Sequence, residues 1–454
     1  MKREAVVSLL SGSFLIFILP FLILPGGMLS ESAAQEGRKA PHIVTLEEAL
    51  RIAMEKNKDI QKAREYRVQL EGRYVEERAA ALPQLVIKAG GSRDRDETQK
   101  AFGPFYPLGR ETWSAGINVS QVIYSFGQVE AAVRAAKKAL SSGEEQLRLY
   151  QQAALRDVSA SFYDLLLAKE LHSLSLQNQE QRVRHLDEAH RKFAAGVATD
   201  YDVLAAEVAV QNAGPEVIRT ENLILTIREK LRFLLGLEGE EVDVQGRLET
   251  VFSSYPAYEE SVEVAWKRRP EVVDMSYQMA VAGELITIAE AGDKPRVDFR
   301  GGYGWQDLDI EMSQADGQVW TAGLFLSFPI FDGLRTRGKV TQAKSNLSTL
   351  KIEEAKLKDA IALQTRDAVH AVREAGEIIK GLSGTVTQGE RLLFMAEKGY
   401  EFGVKTRLDV DDAQLNLMQT MTSLARAKRD YLVARVLLTW VMGTIEETCP
   451  GCTN

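Results

Sequence analysis

The chain has 454 residues, 26% of them charged and 45% hydrophobic, a globular composition with length for two or three ordinary domains. Its formal charge of −8 argues against a nucleic-acid partner, because phosphates are met by a basic face. Twelve prolines without a Pro- or Ser-rich tract argue against a long disordered linker.

Residues 1–34 read as a secretory signal. Lys2 and Arg3 give a positive start, an apolar run follows from Leu15 to Leu24, and Ser32-Ala33-Ala34 offers small residues for cleavage before Gln35. The other reading of this run is a retained membrane anchor; Pro20, Pro25 and Gly26-Gly27 favour removal. Past residue 34 no run of about 18 apolar residues occurs, so no transmembrane helix is expected. The mature chain is then either soluble in an exported compartment or a membrane β-barrel, which hydropathy alone does not detect.

From residue 45 the chain repeats itself. Gly196-Val197-x-Thr199-x-x-Asp202-Val203 recurs at the same spacing as Gly403-Val404-x-Thr406-x-x-Asp409-Val410, an offset of 207. Trp113-Ser114-Ala115-Gly116 stands at that offset from Trp320-Thr321-Ala322-Gly323, whereas Pro83 and Pro295 differ by 212. A longer loop around Ala101 to Arg110 absorbs the change. The expected organisation is a first repeat at 35–236, a connecting segment at 237–258, a second repeat at 259–443 and a short tail at 444–454.

Each repeat has the same order of elements. A helical segment (Thr45 to Ala81; Glu259 to Ala291) is followed by two strand-like segments and a very long helix (Val129 to about Ala195; Thr336 to about Phe402). A Gly-containing turn then leads into a return helix ending near Leu235 and Val441. Thr45-Leu46-Glu47-Glu48 has capping-box spacing. The long segments carry apolar seams at helical spacing, Val129, Val133, Ala136, Leu140 in one and Val340, Ala343, Leu347, Leu350 in the other. At about 1.5 Å per residue each is a rod of roughly 100 Å. A pair of shorter helices broken at Gly143 or Gly376 is the alternative, and Gly214-Pro215 is expected to disturb the first return helix.

Four segments alternate with period two. Trp113, Ala115, Ile117 and Val119 oppose Ser114, Gly116, Asn118 and Ser120. Residues 297–306 and 320–328 alternate likewise, with Phe325 out of pattern, and residues 85–90 do so weakly. Segments of about ten residues with aromatics toward their ends suit tilted membrane strands, although a half-buried sheet in a soluble sandwich alternates the same way. Four strands cannot span lipid alone, since two open edges would leave backbone groups unpaired. Closure then needs further copies: two give a narrow, side-chain-filled barrel, three leave room for a pore.

On these features the chain resembles the TolC-like outer-membrane efflux proteins over residues 45–443. The resemblance rests on the duplicated plan and on Thr45-Leu46-Glu47-Glu48-Ala49-Leu50 with Asn57. It rests also on Val122-Ile123-Tyr124-x-Phe126-Gly127, on Phe328-Pro329-Ile330-Phe331-Asp332-Gly333 and on the two Gly-Val-x-Thr turns. It implies a mainly α fold with a membrane β-barrel: long α-helical hairpins forming a trimeric α-barrel, plus a twelve-stranded β-barrel with four strands per protomer. It implies a passive exit duct in the outer membrane with a long periplasmic extension, no catalysis and no cofactor. The implied partners are two further copies, outer-membrane lipid, a periplasmic adaptor and an inner-membrane transporter.

The resemblance also carries site residues. Gly196, Val197, Thr199, Gly403, Val404 and Thr406 would form hairpin tips that meet the adaptor. A periplasmic gate in the family joins an aspartate to a tyrosine and a basic residue; the corresponding positions are Asp202, Tyr400 and Lys405. Lysine replaces the family's usual arginine and lacks its bidentate fork. Asp409 and Asp412 match an acidic ring at the entrance, where carboxylates would attract cations. The plainer reading of these aspartates is an acidic helix start favoured by the helix dipole.

No HExxH, GxSxG, Walker or GxGxxG motif occurs. His185 and His190 are five apart, unsuited to one helix face, and read as surface helix residues rather than metal ligands. Cys449 and Cys452 read as structural or incidental. The rival from another class is a periplasmic coiled-coil adaptor or scaffold, which would have no reason to carry duplicated strands of membrane length.

Overall fold

The computed structural model describes residues 42–103, 109–252, 254–310 and 313–448; the expected signal at 1–34 and Cys449 and Cys452 lie outside them. The chain enters on β1 (His42–Val44) and turns into α1 (Leu46–Lys56). Thr45 caps α1 by accepting from the Glu48 amide at 3.3 Å. The reciprocal half of the expected capping box is not made, because Glu48 stands 3.5 Å from His42. Asn57 ends α1 and starts α2 (Lys58–Ala79): its Oδ1 accepts from the amides of Asp59 and Ile60, and its Nδ2 donates to the Leu234 carbonyl at 2.7 Å.

β2 (Gln84–Arg95) and β3 (Gly109–Tyr124) lead into α3 (Gln128–Ala194), and α4 (Asp200–Leu235) returns. β4 (Val242–Val244) pairs in parallel with β1. The second repeat then runs through α5 (Tyr258–Arg268), α6 (Pro270–Glu290), β5 (Arg296–Ile310), β6 (Ser313–Ser327), α7 (Arg335–Glu401) and α8 (Arg407–Val441). α3 and α7 each have 67 residues and start at Gln128 and Arg335, the 207-residue offset of the sequence repeat.

The rods run unbroken as expected, and neither glycine weighed as an alternative break interrupts them. At Gly143 the absent side chain makes room for Leu70 of α2, which packs where a Cβ would stand. At Gly376 a Cβ would meet the rings of Tyr431 and Phe252 at 3.7–3.8 Å. α4 likewise continues through Pro215. A proline removes one backbone donor, but here hairpin packing on α3 outweighs that loss.

The strands are longer than the alternation foretold, 12 to 16 residues. Their distal ends, such as Gln306 to Ile310, lose the apolar pattern while the backbone ladder carries on. The four form one antiparallel sheet in the order β2-β3-β5-β6. Its register sorts the side chains. Ile87, Ile117, Tyr303 and Trp320 lie across from one another, as do Leu85, Val119, Gly301 and Ala322. The alternating apolar sets therefore fall on one face, and Lys88, Gly116, Asn118, Gly302, Gly304 and Thr321 fall on the other, together with Val86 and Val319. A slip of one residue would mix them. Phe325 lies on the polar face under the Arg300 guanidinium, 5.1 Å from its ring centre.

The helices repeat this order. Next to the sheet α2, α3, α6 and α7 pack side by side; beyond the middle of the rods α4 and α8 take the places of α2 and α6, giving α4-α3-α8-α7. The largest buried cluster sits at the changeover, where Leu155, Val158, Phe162 and Leu165 of α3 meet Leu50, Leu231, Leu235, Val44 and Val242. The tail reaches it too: Ile445 is 1% exposed within it, and Glu446 accepts from Arg148 and Gln152.

Candidate functional site

The two hairpin tips are built alike. Gly196 and Gly403 have φ of 74° and 72°, the left-handed region that a residue with a Cβ avoids. At the first tip the Val197 amide donates to the Lys192 carbonyl and that of Gly196 to Phe193; at the second Val404 donates to Gly399 and Gly403 to Tyr400. These bonds satisfy the last carbonyls of α3 and α7. Thr199 and Thr406 then cap the return helices, each in a full capping box with Asp202 and Asp409. Gly-Val-x-Thr-x-x-Asp is thus a complete stop-and-restart signal. It leaves all six tip residues solvent-facing, with Val197 and Val404, like the neighbouring Phe402, about four-fifths exposed.

The capping boxes fix where the acidic groups point. Asp202 Oδ2 accepts from the Thr199 amide at 2.8 Å and hydroxyl at 2.7 Å, bonds that hold its carboxyl below the usual range. Asp409 does the same with Thr406 and also accepts from Lys405 at 3.2 Å. The Thr406 hydroxyl, its amide and Lys405 lower the Asp409 pKa to about 2. Asp412 is exposed on the next turn. Within one chain, therefore, Asp202, Tyr400 and Lys405 are not joined to one another: Asp202 serves Thr199, and Lys405 serves Asp409.

Tyr400 has a different partner. Lys192, near the end of α3, donates to its hydroxyl at 3.1 Å and lies 4.2 Å from its ring centre. Glu188 holds the same ammonium at 2.7 Å. Partial burial pulls the Lys192 pKa down, but hydrogen bonds to Glu188 and Tyr400 outweigh it and the pKa is raised.

This contact is the last of a polar series between α3 and α8–α7. Asp164 accepts from Arg429 Nε at 2.7 Å, Asn178 from Gln414 at 3.4 Å and Asp411 from Arg182 at 2.8 Å. Arg407 then donates to His185 Nδ1 at 2.9 Å while also bonding Asp411. By contrast the second hairpin holds itself together with apolar contacts: Ala368, Val372 and Ile379 pack on Tyr431, Ala434 and Leu438, and Ala396 packs on Val410 and Ala413. Among the described residues no apolar cluster joins the two hairpins below Asp164. The seam is thus held by part-buried polar pairs, whose partners water can solvate in their place once it parts.

A cavity of about 740 Å³ opens beside the seam, lined among others by His185, Lys192, Tyr201, Asp202, Tyr400 and Arg407. His185 is not the surface residue the spacing suggested. Its side chain is only 15% exposed, because its position on α3 faces Arg407 rather than water. His190 is exposed as expected. Sequence reasoning also missed Lys192, Arg182 and Glu188. A basic and acidic run on α3 signals only a charged face until its partner helix is known.

The model of the family described as "Outer membrane efflux protein" matches residues 49–237 and 262–444. "Outer membrane protein TolC" of Vibrio cholerae is 22% identical over 375 residues, covering 82% of this chain and 84% of that protein. "Nodulation protein T" of Rhizobium leguminosarum bv. trifolii is 24% identical over 379 residues, covering 81% and 78%. The crystal structure of the Campylobacter jejuni CmeC outer membrane channel superposes with a TM-score of 0.79 at 16% identity, covering 94% of each chain.

Proposed function

The chain belongs to the outer membrane efflux protein family, a channel of the outer membrane with a long periplasmic helical part and not an enzyme, and from that premise we propose that three copies close into one duct. One observation carries the proposal. The sheet β2-β3-β5-β6 and the helical layer α4-α3-α8-α7 are both open at two edges, in matching order. In hydrocarbon each unpaired backbone group on a sheet edge costs several kcal/mol, so β2 of one copy must meet β6 of another. Two copies would give a barrel of about eight strands, filled by its own side chains; three enclose a water-filled lumen. The face with Ile87, Ile117 and Trp320 then meets lipid, and the face with Lys88, Asn118 and Arg300 lines the lumen.

The function follows from that geometry. Solutes pass through the lumen without chemistry, as a terminal part of an efflux or secretion assembly. Energy comes from an inner-membrane transporter, and a periplasmic adaptor docks on the tips around Gly196, Val197, Thr199, Gly403, Val404 and Thr406. Where the tips of three copies converge, Asp202, Tyr400 and Lys405 meet across subunit boundaries and close the end. Asp409 and Asp412 ring the entrance. Supporting this, the carboxylate of Asp202 uses only Oδ2 for its cap, and Lys405 is half exposed.

The test is the purified chain in detergent. A heat-modifiable species that cross-links as three subunits and forms steady pores in a planar bilayer is expected. A water-soluble monomer without conductance overturns the reading.

A further inference from the structure

We propose that His185 makes the seam between the two hairpins proton-sensitive, so that acidification of the periplasm loosens the closed end of the duct. The inference rests on the channel reading above and adds a control to it.

The geometry carries it. A guanidinium has only donors, so the 2.9 Å contact from Arg407 Nη1 requires His185 Nδ1 to be an acceptor. The ring is therefore neutral, with its proton on Nε2, which is buried and without a hydrogen-bond partner among the described residues. Protonating Nδ1 would set donor against donor and cation against cation. The groups facing His185 are Arg182, Glu188 and Lys192 on its own helix, Arg407 and Asp411 on α8, Tyr400 on α7, and Tyr201 and Asp202 on α4 across the cavity. Both carboxylates favour a charged ring, Asp411 more than Glu188, but only Glu188, 4.0 Å from Nδ1, stands within ion-pair reach of the new proton. Glu188 is already the anchor of Lys192, which in turn holds Tyr400. A charged His185 thus both releases Arg407 and draws the carboxylate away from the next contact down the seam.

The sign agrees. Burial first, then the Arg407 charge, keep the His185 pKa below its ordinary value. With the seam parted it returns toward the usual range of about 6.5. The neutral ring's contribution to closure is whole above that value and is lost as pH falls through the lower, closed-state value. Each pKa unit between the two states shifts the closed-to-open ratio about tenfold per copy.

Single-channel conductance of the full chain, read from roughly pH 7.5 to 5, tests this. In the unaltered channel conductance should rise with acidification. His185→Gln, whose amide oxygen can still accept from Arg407, should stay low and flat, and His190→Gln should behave as unaltered. A pH response that survives in His185→Gln overturns the proposal, as does a conducting but pH-insensitive unaltered channel. Absence of any pore would instead sink the channel reading. Should His185→Gln fail to assemble, His185→Asn, which also carries an acceptor amide and no titrating ring, replaces it, and an acid response that survives there likewise overturns the proposal.

Discussion

Lys192 on α3 and Tyr400 on α7 are joined twice, by a 3.1 Å hydrogen bond and by an ammonium 4.2 Å from the ring centre. The pair spans the two hairpins at their lowest point. In the proposed duct this contact inside each copy would add to those between copies at the closed end. Lys192→Ala removes both components, whereas Tyr400→Phe keeps the ring. The contact is partly exposed, and its loss should weaken closure by about 1 kcal/mol or less per copy. Conductance in a planar bilayer should therefore rise in the order unaltered, Tyr400→Phe, Lys192→Ala. Lys405→Ser should raise it independently, by removing the basic member of the proposed contact between subunits. A Lys192→Ala channel that conducts no better than the unaltered one removes this pair from the gate.

The Asp409 carboxyl, at about 2, stays ionised through the whole working range, because the Thr406 hydroxyl and amide and then Lys405 stabilise its charge. Its contribution is present above the ordinary carboxyl range and is lost only as pH falls through that low value. The share of any multivalent-cation block that Asp409 carries should then persist down to about pH 4. Asp409→Ala with Asp412→Ala should weaken block severalfold, whereas Asp200→Ala, on the other tip, should change it less. Equal block in the double variant would leave the ring unsupported.

How far these features were legible depends on the range of the interaction. The rods, the tips and the strand faces are local patterns with fixed periods, so Gln128–Ala194 and Arg335–Glu401 fall within a residue or two of where the repeat places them. Gly143 kept a broken rod open as an alternative because a glycine that opens a turn and one that admits Leu70 look alike in sequence. The seam was invisible for a related reason. Nothing local pairs Arg182 with Asp411, 229 residues away, and a half-buried histidine has no sequence signature. Asp202 and Asp409 were legible twice over, as acidic groups and as capping-box members.

The assignment of sheet faces is open to a paired test. Ile117 lies at the middle of β3 on the apolar face, and Asn118 beside it on the other. At a bilayer midplane an outward-facing Arg costs about 2–4 kcal/mol per copy, and a lumen-facing one little. Ile117→Arg should abolish the heat-modifiable species in outer-membrane fractions, while Asn118→Arg should assemble and alter ion selectivity. The opposite outcome would mean that the polar face meets lipid.

The firmest stability prediction concerns the junction of α4 with α1. Gly236 has φ of 68° and ends α4, with the Leu237 amide donating to the Arg232 carbonyl. A Cβ there would press into the backbone carbonyl of Lys56, next to the Asn57 side chain that holds Leu234. Backbone cannot rotate aside as a side chain can. Gly236→Ala thus adds left-handed strain of about 1–2 kcal/mol to a forced parting of α1 from α4, about 3 kcal/mol or more together. Gly239 separates the two contributions, since its φ is 73° but nothing lies within 4 Å of its would-be Cβ. Gly239→Ala should therefore cost only the strain. Gly443, one repeat later and 2.9–3.0 Å from the backbone of Arg268, should behave like Gly236. Thermal unfolding followed by helical circular dichroism measures all three. A Gly236→Ala variant as stable as Gly239→Ala would mean that α1 is not held against the end of α4.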